Sequence, residues 1–407
     1  METKLIRILL LICIGIMLQS CQINNIINNS NKENLILKPG FHKFIYEDNQ
    51  IIIKTEFTDN IERNFLLDLG APINTIFMDS SMKKIIENSK PIQSLGRSSS
   101  ADGISIKREY LPWGNLKTNL FEIENSFVSS MIRPDPFACS KLSGMWGSEI
   151  FASGYKSKKN KILLILMQDS TVAVLDSLPS LENWTKIITS FTVFSHIHVK
   201  YKIGEKKAKF IFDTGFGGSI IMNRETYLTA QREPNSFIDQ NQIYGYITNT
   251  LTGTQMDTAY RGSFIMDLGN GIISDSTVVI STSAVNVNAI GMEFIKRFNV
   301  LVDYKKNALY LQPNPNYQHP KKTFFMYKGF KARNMNDNNI LVINLEVDGQ
   351  AEKAGLKVGD QILSINNIKA NEGDNCEVVK LISEIDGNST QNEVTVKRGN
   401  EIMKFTL

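Results

Sequence analysis

Cysteine and histidine are both scarce, four of each in 407 residues, and this narrows the chemistry open to the chain. His196 and His198 alternate on an expected strand and so face one side, but no third ligand stands at a recognisable spacing, so neither a metal site nor a cofactor is expected. An excess of one charge is also missing. The 45 Lys and Arg residues nearly balance 41 Asp and Glu, for a net charge of +4, whereas neutralising phosphates takes a concentrated basic face, so nucleic acid is excluded as a partner. Long apolar runs are absent as well: the stretch Ile8–Leu18 is eleven residues, too short at 1.5 Å per residue for a bilayer core of about 30 Å. With 42% hydrophobic and 21% charged residues, neither wholesale disorder nor a multi-pass membrane protein fits. The length allows two to four domains at roughly 100–200 residues each.

Lys4 and Arg7 precede the apolar run, and Leu18-Gln19-Ser20-Cys21 closes it. A basic start, a short apolar core and a small residue before cysteine resemble the lipobox of bacterial lipoproteins. That resemblance implies a signal peptide over 1–20, lipidation of Cys21, and a chain held on a membrane of the bacterial cell envelope, facing the periplasm or the exterior. Gln22–Ile36 carries six Asn in fifteen residues with no apolar period, so 21–36 is read as a flexible tether. Cys139 and Cys376 then remain, far apart in sequence, and no disulfide framework is expected.

An internal repeat organises the chain beyond the tether. Asn64-Phe-Leu-Leu-Asp68-Leu-Gly-Ala71 and Lys209-Phe-Ile-Phe-Asp213-Thr-Gly-Phe216 each run an apolar β-prone segment into an Asp and a Gly turn, and each is followed by a second apolar run. Trp146-Gly147-Ser148-Glu149-Ile150 and Ile290-Gly291-Met292-Glu293-Phe294 form a second pair. Asp68 to Gly147 spans 79 residues and Asp213 to Gly291 spans 78. Two motifs repeated at one spacing indicate two copies of a β-rich unit, each entered by a hairpin-like pair of runs.

This arrangement resembles the aspartic protease superfamily, closest to two-lobed retropepsin-like bacterial proteins. The resemblance implies a mainly β, two-lobed barrel fold with lobes at 37–182 and 183–315. Asp68 and Asp213 would be the catalytic pair, with Gly70, Thr214 and Gly215 supporting their loops. Two carboxylates about 3 Å apart cannot both ionise cheaply, so the pair keeps one proton and supplies both the base that activates water and the acid that protonates the substrate. Glycine two residues after each Asp lets backbone approach the carboxylates. The Thr hydroxyl in such loops resembles a brace to the other lobe, and Leu69 departs from that pattern by having none; Phe216 stands where many relatives carry a small or hydroxyl residue. Cleft-covering hairpins are expected within Ser94–Lys107 and Tyr244–Thr258.

After a proline-bearing break, Ala354-Gly355-Leu356-Lys-Val-Gly359-Asp360-Gln-Ile-Leu-Ser-Ile365-Asn resembles a PDZ domain, assigned to 320–407. The resemblance implies strand addition of a peptide C-terminus, with Gly329 and Phe330 in the carboxylate loop and a helix over Cys376–Ile385 beside the groove. The function expected is that of an extracytoplasmic aspartic endopeptidase acting on peptides or proteins, its PDZ domain reading or gating them. The alternative is a catalytically inactive peptide-binding or scaffolding lipoprotein on the same folds, and Leu69 divides the two.

Overall fold

The computed structural model describes residues 34–407 apart from 79, 87–91, 100–104, 133–140, 153–159, 193–194, 204, 234–236, 251–252, 269–271, 284, 319–327, 335–338, 367, 371–375, 377 and 380–391. The signal peptide, Cys21, Cys139, both hairpin tips and most of the expected groove helix therefore lie outside the described residues. The protein is mainly β. Among the described residues no helix is long and apolar enough to cross a membrane.

In the first unit, β1 (Gln50–Glu56) and β2 (Glu62–Asp68) form a hairpin, followed by β3 (Thr75–Met78), β4 (Ser105–Thr118), β5 (Phe121–Ile132) and β6 (Leu142–Gly147). Hydrogen bonding runs β1-β2-β6-β3-β5-β4, and β4 returns to β1, so six strands close into a barrel. Closure removes the exposed edges that invite association. Its centre is aromatic: Trp146 stacks on Phe65 at 4.8 Å, meets Phe121 edge-on at 5.1 Å, and donates its indole N–H to Thr55.

β7 (Ile162–Leu166) leads to the second unit: β8 (Ile197–Ile203), β9 (Lys206–Phe212), β10 (Ile220–Asn223), β11 (Phe237–Thr250), β12 (Gly253–Asp267), β13 (Ile273–Thr282) and β14 (Ala289–Ile290). Its order is β8-β9-β14-β10-β13-β12, matching the first unit strand for strand, with the same alternation of parallel and antiparallel neighbours. The repeat in the sequence is thus a repeat of topology. β11 and β12 make the expected hairpin of the second lobe, and Ile92–Ser99 pairs with β4 to make that of the first.

The lobes are joined along their backbones. β15 (Phe298–Asp303) pairs antiparallel with β7, placing Ile162 opposite Asp303 and Ile165 opposite Val300. β16 (Ala308–Pro313) pairs on the far side of β15, and a six-stranded sheet results, completed by Thr171–Leu175, Thr185–Ile187 and Phe41–Lys43. One continuous apolar core, from Phe44 through Trp146 to Leu311, fills both lobes.

A second core belongs to the C-terminal unit: β17 (Phe330–Asn334), β18 (Ile340–Glu346), the short α1 (Gln350–Lys353), β19 (Gln361–Ile365), β20 (Glu393–Arg398) and β21 (Glu401–Thr406). Gly355 follows α1 with a φ of +98°, the left-handed turn that glycine makes without a Cβ penalty.

Two expectations are corrected. The tether does not reach residue 36, because Leu35–Leu37 pairs antiparallel with Phe121–Ile123; three consecutive residues able to use a sheet edge outweigh the polar run before them. Cys376 is disulfide-bonded, with a partner outside the described residues. Separation along the chain does not decide which thiols meet; the fold does.

Candidate functional site

Each Asp is delivered to the end of a strand that cannot go further. In the first lobe β2 runs parallel to β6 with Asp68 opposite Gly147, and in the second β9 runs parallel to β14 with Phe212 opposite Ile290. The chain then turns sharply over the strand it has just paired with. Ser148 N donates to Ala71 O at 2.9 Å in one lobe, and Met292 N donates to Phe216 O at 2.7 Å in the other. A Cβ on Gly147 would come within 2.7 Å of Ala71 O, and one on Gly291 would overlap Gly218 O, which is why both positions beneath the Asp turns are glycine.

These turns bring Asp68 and Asp213 together, with the two carboxyl groups hydrogen-bonded to each other. The crossing is reciprocal: a Cβ on Gly70 would overlap the Asp213 carboxyl carbon, and one on Gly215 would overlap that of Asp68. Each glycine therefore lets the opposite carboxylate lie against its own backbone. The amides aim at the acids as well. Ala71 N donates to Asp68 Oδ1 at 2.9 Å, while Gly215 N and Phe216 N donate to Asp213 Oδ1 at 2.9 and 3.0 Å.

Burial pushes the Asp68 carboxyl well above the ordinary carboxylate range, and the neighbouring Asp213 charge adds to the rise. Burial raises Asp213 too, partly offset by the amides of Gly215 and Phe216 and by its hydrogen bond to Asp68. Both carboxyls are raised, so the pair holds a proton above the ordinary carboxylate range, and the titration belongs to the pair. An acid and a base of identical chemistry thus stand side by side, both partly open to solvent.

Thr214 braces the pair. Its fully buried hydroxyl accepts from Leu69 N at 2.9 Å and donates to Leu67 O at 2.7 Å, clamping the first lobe's turn from the second. Leu69 returns no such bond and is instead fully buried in the shared apolar core. The Phe216 ring folds back over Gly218 and Gly291, so it packs on its own loop.

Sequence reasoning missed two supporting clusters. Asn74 Oδ1 accepts from Gly147 N at 2.8 Å, and Asn74 N donates to Glu149 Oε1 at 2.6 Å, holding the first turn from below. Asn49, on a first-lobe turn, donates to Glu293 Oε2 at 2.7 Å, which also pairs with Lys296 at 2.8 Å. The available signal was the matching Glu at 149 and 293, two residues after each repeated glycine. His198 lies on β8 and His196 just before it, so the two do not share the expected strand; their ring centroids are 6.3 Å apart, and burial pulls His196 down to about 4. Among the described residues no group of three or more His, Cys, Asp or Glu is placed to hold a metal ion.

At the other end of the molecule, Lys328 and Gly329 turn with φ of +47° and +85° into the fully buried Phe330. Glu346 N donates to Gly329 O at 2.8 Å, and Ala351 N to Lys328 O at 3.1 Å. β17 follows at the edge of its sheet, paired to β18. Residues 326–397 are a PDZ domain, as their match to that family shows. No curated protein matches the chain. PDZ domains take an extended peptide as an added strand and hold its terminal carboxylate on a turn of backbone amides. Gly329 and Phe330, the residues expected in that loop, lead into β17, and Cys376, helical in the structure, faces β17 through Asn334 Nδ2 at 3.6 Å from its sulfur.

Proposed function

We propose that the chain is an aspartic endopeptidase of the cell envelope whose PDZ domain reads the C-termini of peptide or protein substrates. The observation that carries the proposal is the carboxyl pair itself: two acids hydrogen-bonded across the lobe junction, both with raised pKa, each pressed against the other's glycine turn. In this reading the ionised member removes a proton from a water held between the carboxyls. The protonated member donates to the peptide carbonyl oxygen, and the amine leaves after receiving a proton from the pair. Fixed amides and the Thr214 clamp hold both acids in place, so little reorganisation accompanies the proton transfers. The lipidated Cys21 would keep the enzyme at a membrane surface, where a PDZ domain can gather polypeptide ends.

Cleavage of a quenched peptide library by the purified chain is expected at acidic pH, inhibited by a peptide carrying a hydroxyl in place of the scissile carbonyl. Asp68→Asn and Asp213→Asn are each expected to lower turnover by at least a thousandfold with the fold retained. If cleavage persists unchanged in both variants, the dyad is not the catalyst.

One observation favours a second reading, a peptide-binding lipoprotein without turnover: the brace is one-sided, since Leu69 gives no hydroxyl to the second lobe. In that case the transition-state mimic would bind the cleft while no library member is cut.

A further inference from the structure

The PDZ sheet does not end within the PDZ domain. β18 pairs on one side with β17 and on the other with β11 of the second lobe, placing Ile243 opposite Glu346, Tyr244 opposite Leu345 and Gly245 opposite Asn344. Leu345 is thus opposite Phe330 of the carboxylate loop across one strand boundary and opposite Tyr244 across the other. The joint is specific. Gly245 has a φ of +131°, and a Cβ there would overlap the Ile343 carbonyl oxygen and lie 3.0 Å from the Asn344 Cα. Val347 N donates to Gln242 O at 2.8 Å, and Asn241 Nδ2 donates to the Glu346 carboxylate. The Tyr244 ring packs against the PDZ core, and burial first and the nearby Glu352 carboxylate of α1 next raise the pKa of its hydroxyl.

Glu346 is common to both sides: its N–H donates to Gly329 O in the carboxylate loop, and its side chain holds Asn241 of the hairpin. The hairpin in turn continues toward the acids. Asp257, opposite Gly245 on β12, accepts from the Thr282 hydroxyl and from Ser283 N at 2.9 Å at the end of β13. β13 pairs with β10, and β10 with β14, whose Ile290 O accepts from Asp213 N at 2.9 Å.

We propose that this strand joint couples the two sites, so that capture of a free peptide carboxylate at the Gly329 loop stiffens the β11–β12 hairpin through Glu346. The proposal rests on the peptide-reading role given to the PDZ domain and is independent of catalysis. The three atoms that a Cβ on Gly245 would meet first all belong to β18.

The test is hydrogen exchange on the full purified chain, read at the amides of 241–247 and 343–347, with and without a mixture of peptides ending in apolar residues with free carboxylates. The same peptides with amidated ends serve as the control. Binding is followed separately by fluorescence anisotropy. Free-carboxylate peptides are expected to slow exchange at 241–247 at least threefold, amidated ones not at all. Gly245→Val is expected to abolish the slowing while leaving anisotropy within twofold of wild type. Should Gly245→Val fail to fold, Asn241→Ala, at an exposed position, is expected to weaken the effect in the same direction. Peptide binding that leaves hairpin exchange unchanged would overturn the coupling and spare the reader role. Absence of any binding would overturn both, whether or not the chain cleaves peptides.

Discussion

Thr214 is the residue on which the geometry of the acid pair most depends, because one buried hydroxyl serves two backbone groups of the opposite lobe. Thr214→Val keeps the shape and removes both bonds, leaving the Leu69 amide unpaired in a dry site. The expected loss is about 2–3 kcal/mol of stability, visible as a lower denaturation midpoint, together with reduced turnover. Thr214→Ser keeps the hydroxyl and should recover most of both. A valine variant as stable as wild type would show that the clamp is dispensable. The brace was expected from the resemblance of the Asp-Thr-Gly string to aspartic protease loops. The positions of Leu69 and Phe216 were not: a leucine beside a carboxylate can either block it or turn inward, and only the packing around it decides. Here Leu69 turns into the core and Phe216 folds over its own glycines.

Among the elements, the turn from α1 into β19 shows how a short sequence motif becomes a structural lock. Asp360 is 2% exposed and is held by both nitrogens of a bidentate Arg398 at 2.7 Å, while its Oδ2 also accepts from Lys357 N at 2.8 Å. Arg398 reaches on to Gly355 O at 2.8 Å, tying the end of β20 to the end of α1. Asp360→Ala strands a partly buried guanidinium and removes the acceptor of the Lys357 amide, so a loss of about 1–3 kcal/mol is expected, confined to the PDZ domain. Hydrogen exchange should rise across β20 and β21 and stay unchanged in β2 and β6, whose core is separate; equal loosening in all four strands would contradict this. The Gly-Asp pair was readable in the sequence, but its arginine partner, 38 residues away, was not, since nothing in the string distinguishes Arg398 from other basic residues.

For the whole molecule, the acid pair exists only in the folded chain, and this gives a sign to its pH dependence. Unfolded, both carboxyls titrate near their ordinary value of about 4. Folded, both are raised, by burial first and for Asp68 by Asp213 next. The native state therefore holds protons that the unfolded chain has released. The favourable contribution is full below about pH 4 and is lost as pH rises through the raised values of the pair. Asp68→Asn removes one of the two raised carboxyls and the charge beside the other, so its denaturation midpoint should exceed that of wild type at pH 7, with the gap closing toward pH 4. A gap that does not change with pH would mean that the Asp68 carboxyl is not raised in the folded chain. The sequence by itself determined the local pieces: the two Asp turns, the glycines that pass beneath them at matched spacing, and the Ala-Gly-Leu to Ile-Asn run of the PDZ domain, because each is fixed by the steric needs of neighbouring residues. Only the tertiary structure decided what meets what: Asp68 with Asp213, Ile162–Leu166 with Phe298–Asp303, Gly245 with Asn344, and Cys376 with its disulfide partner. The two strand junctions are made by backbone amides and carbonyls, which nearly every residue carries alike, so the side-chain string holds little record of them.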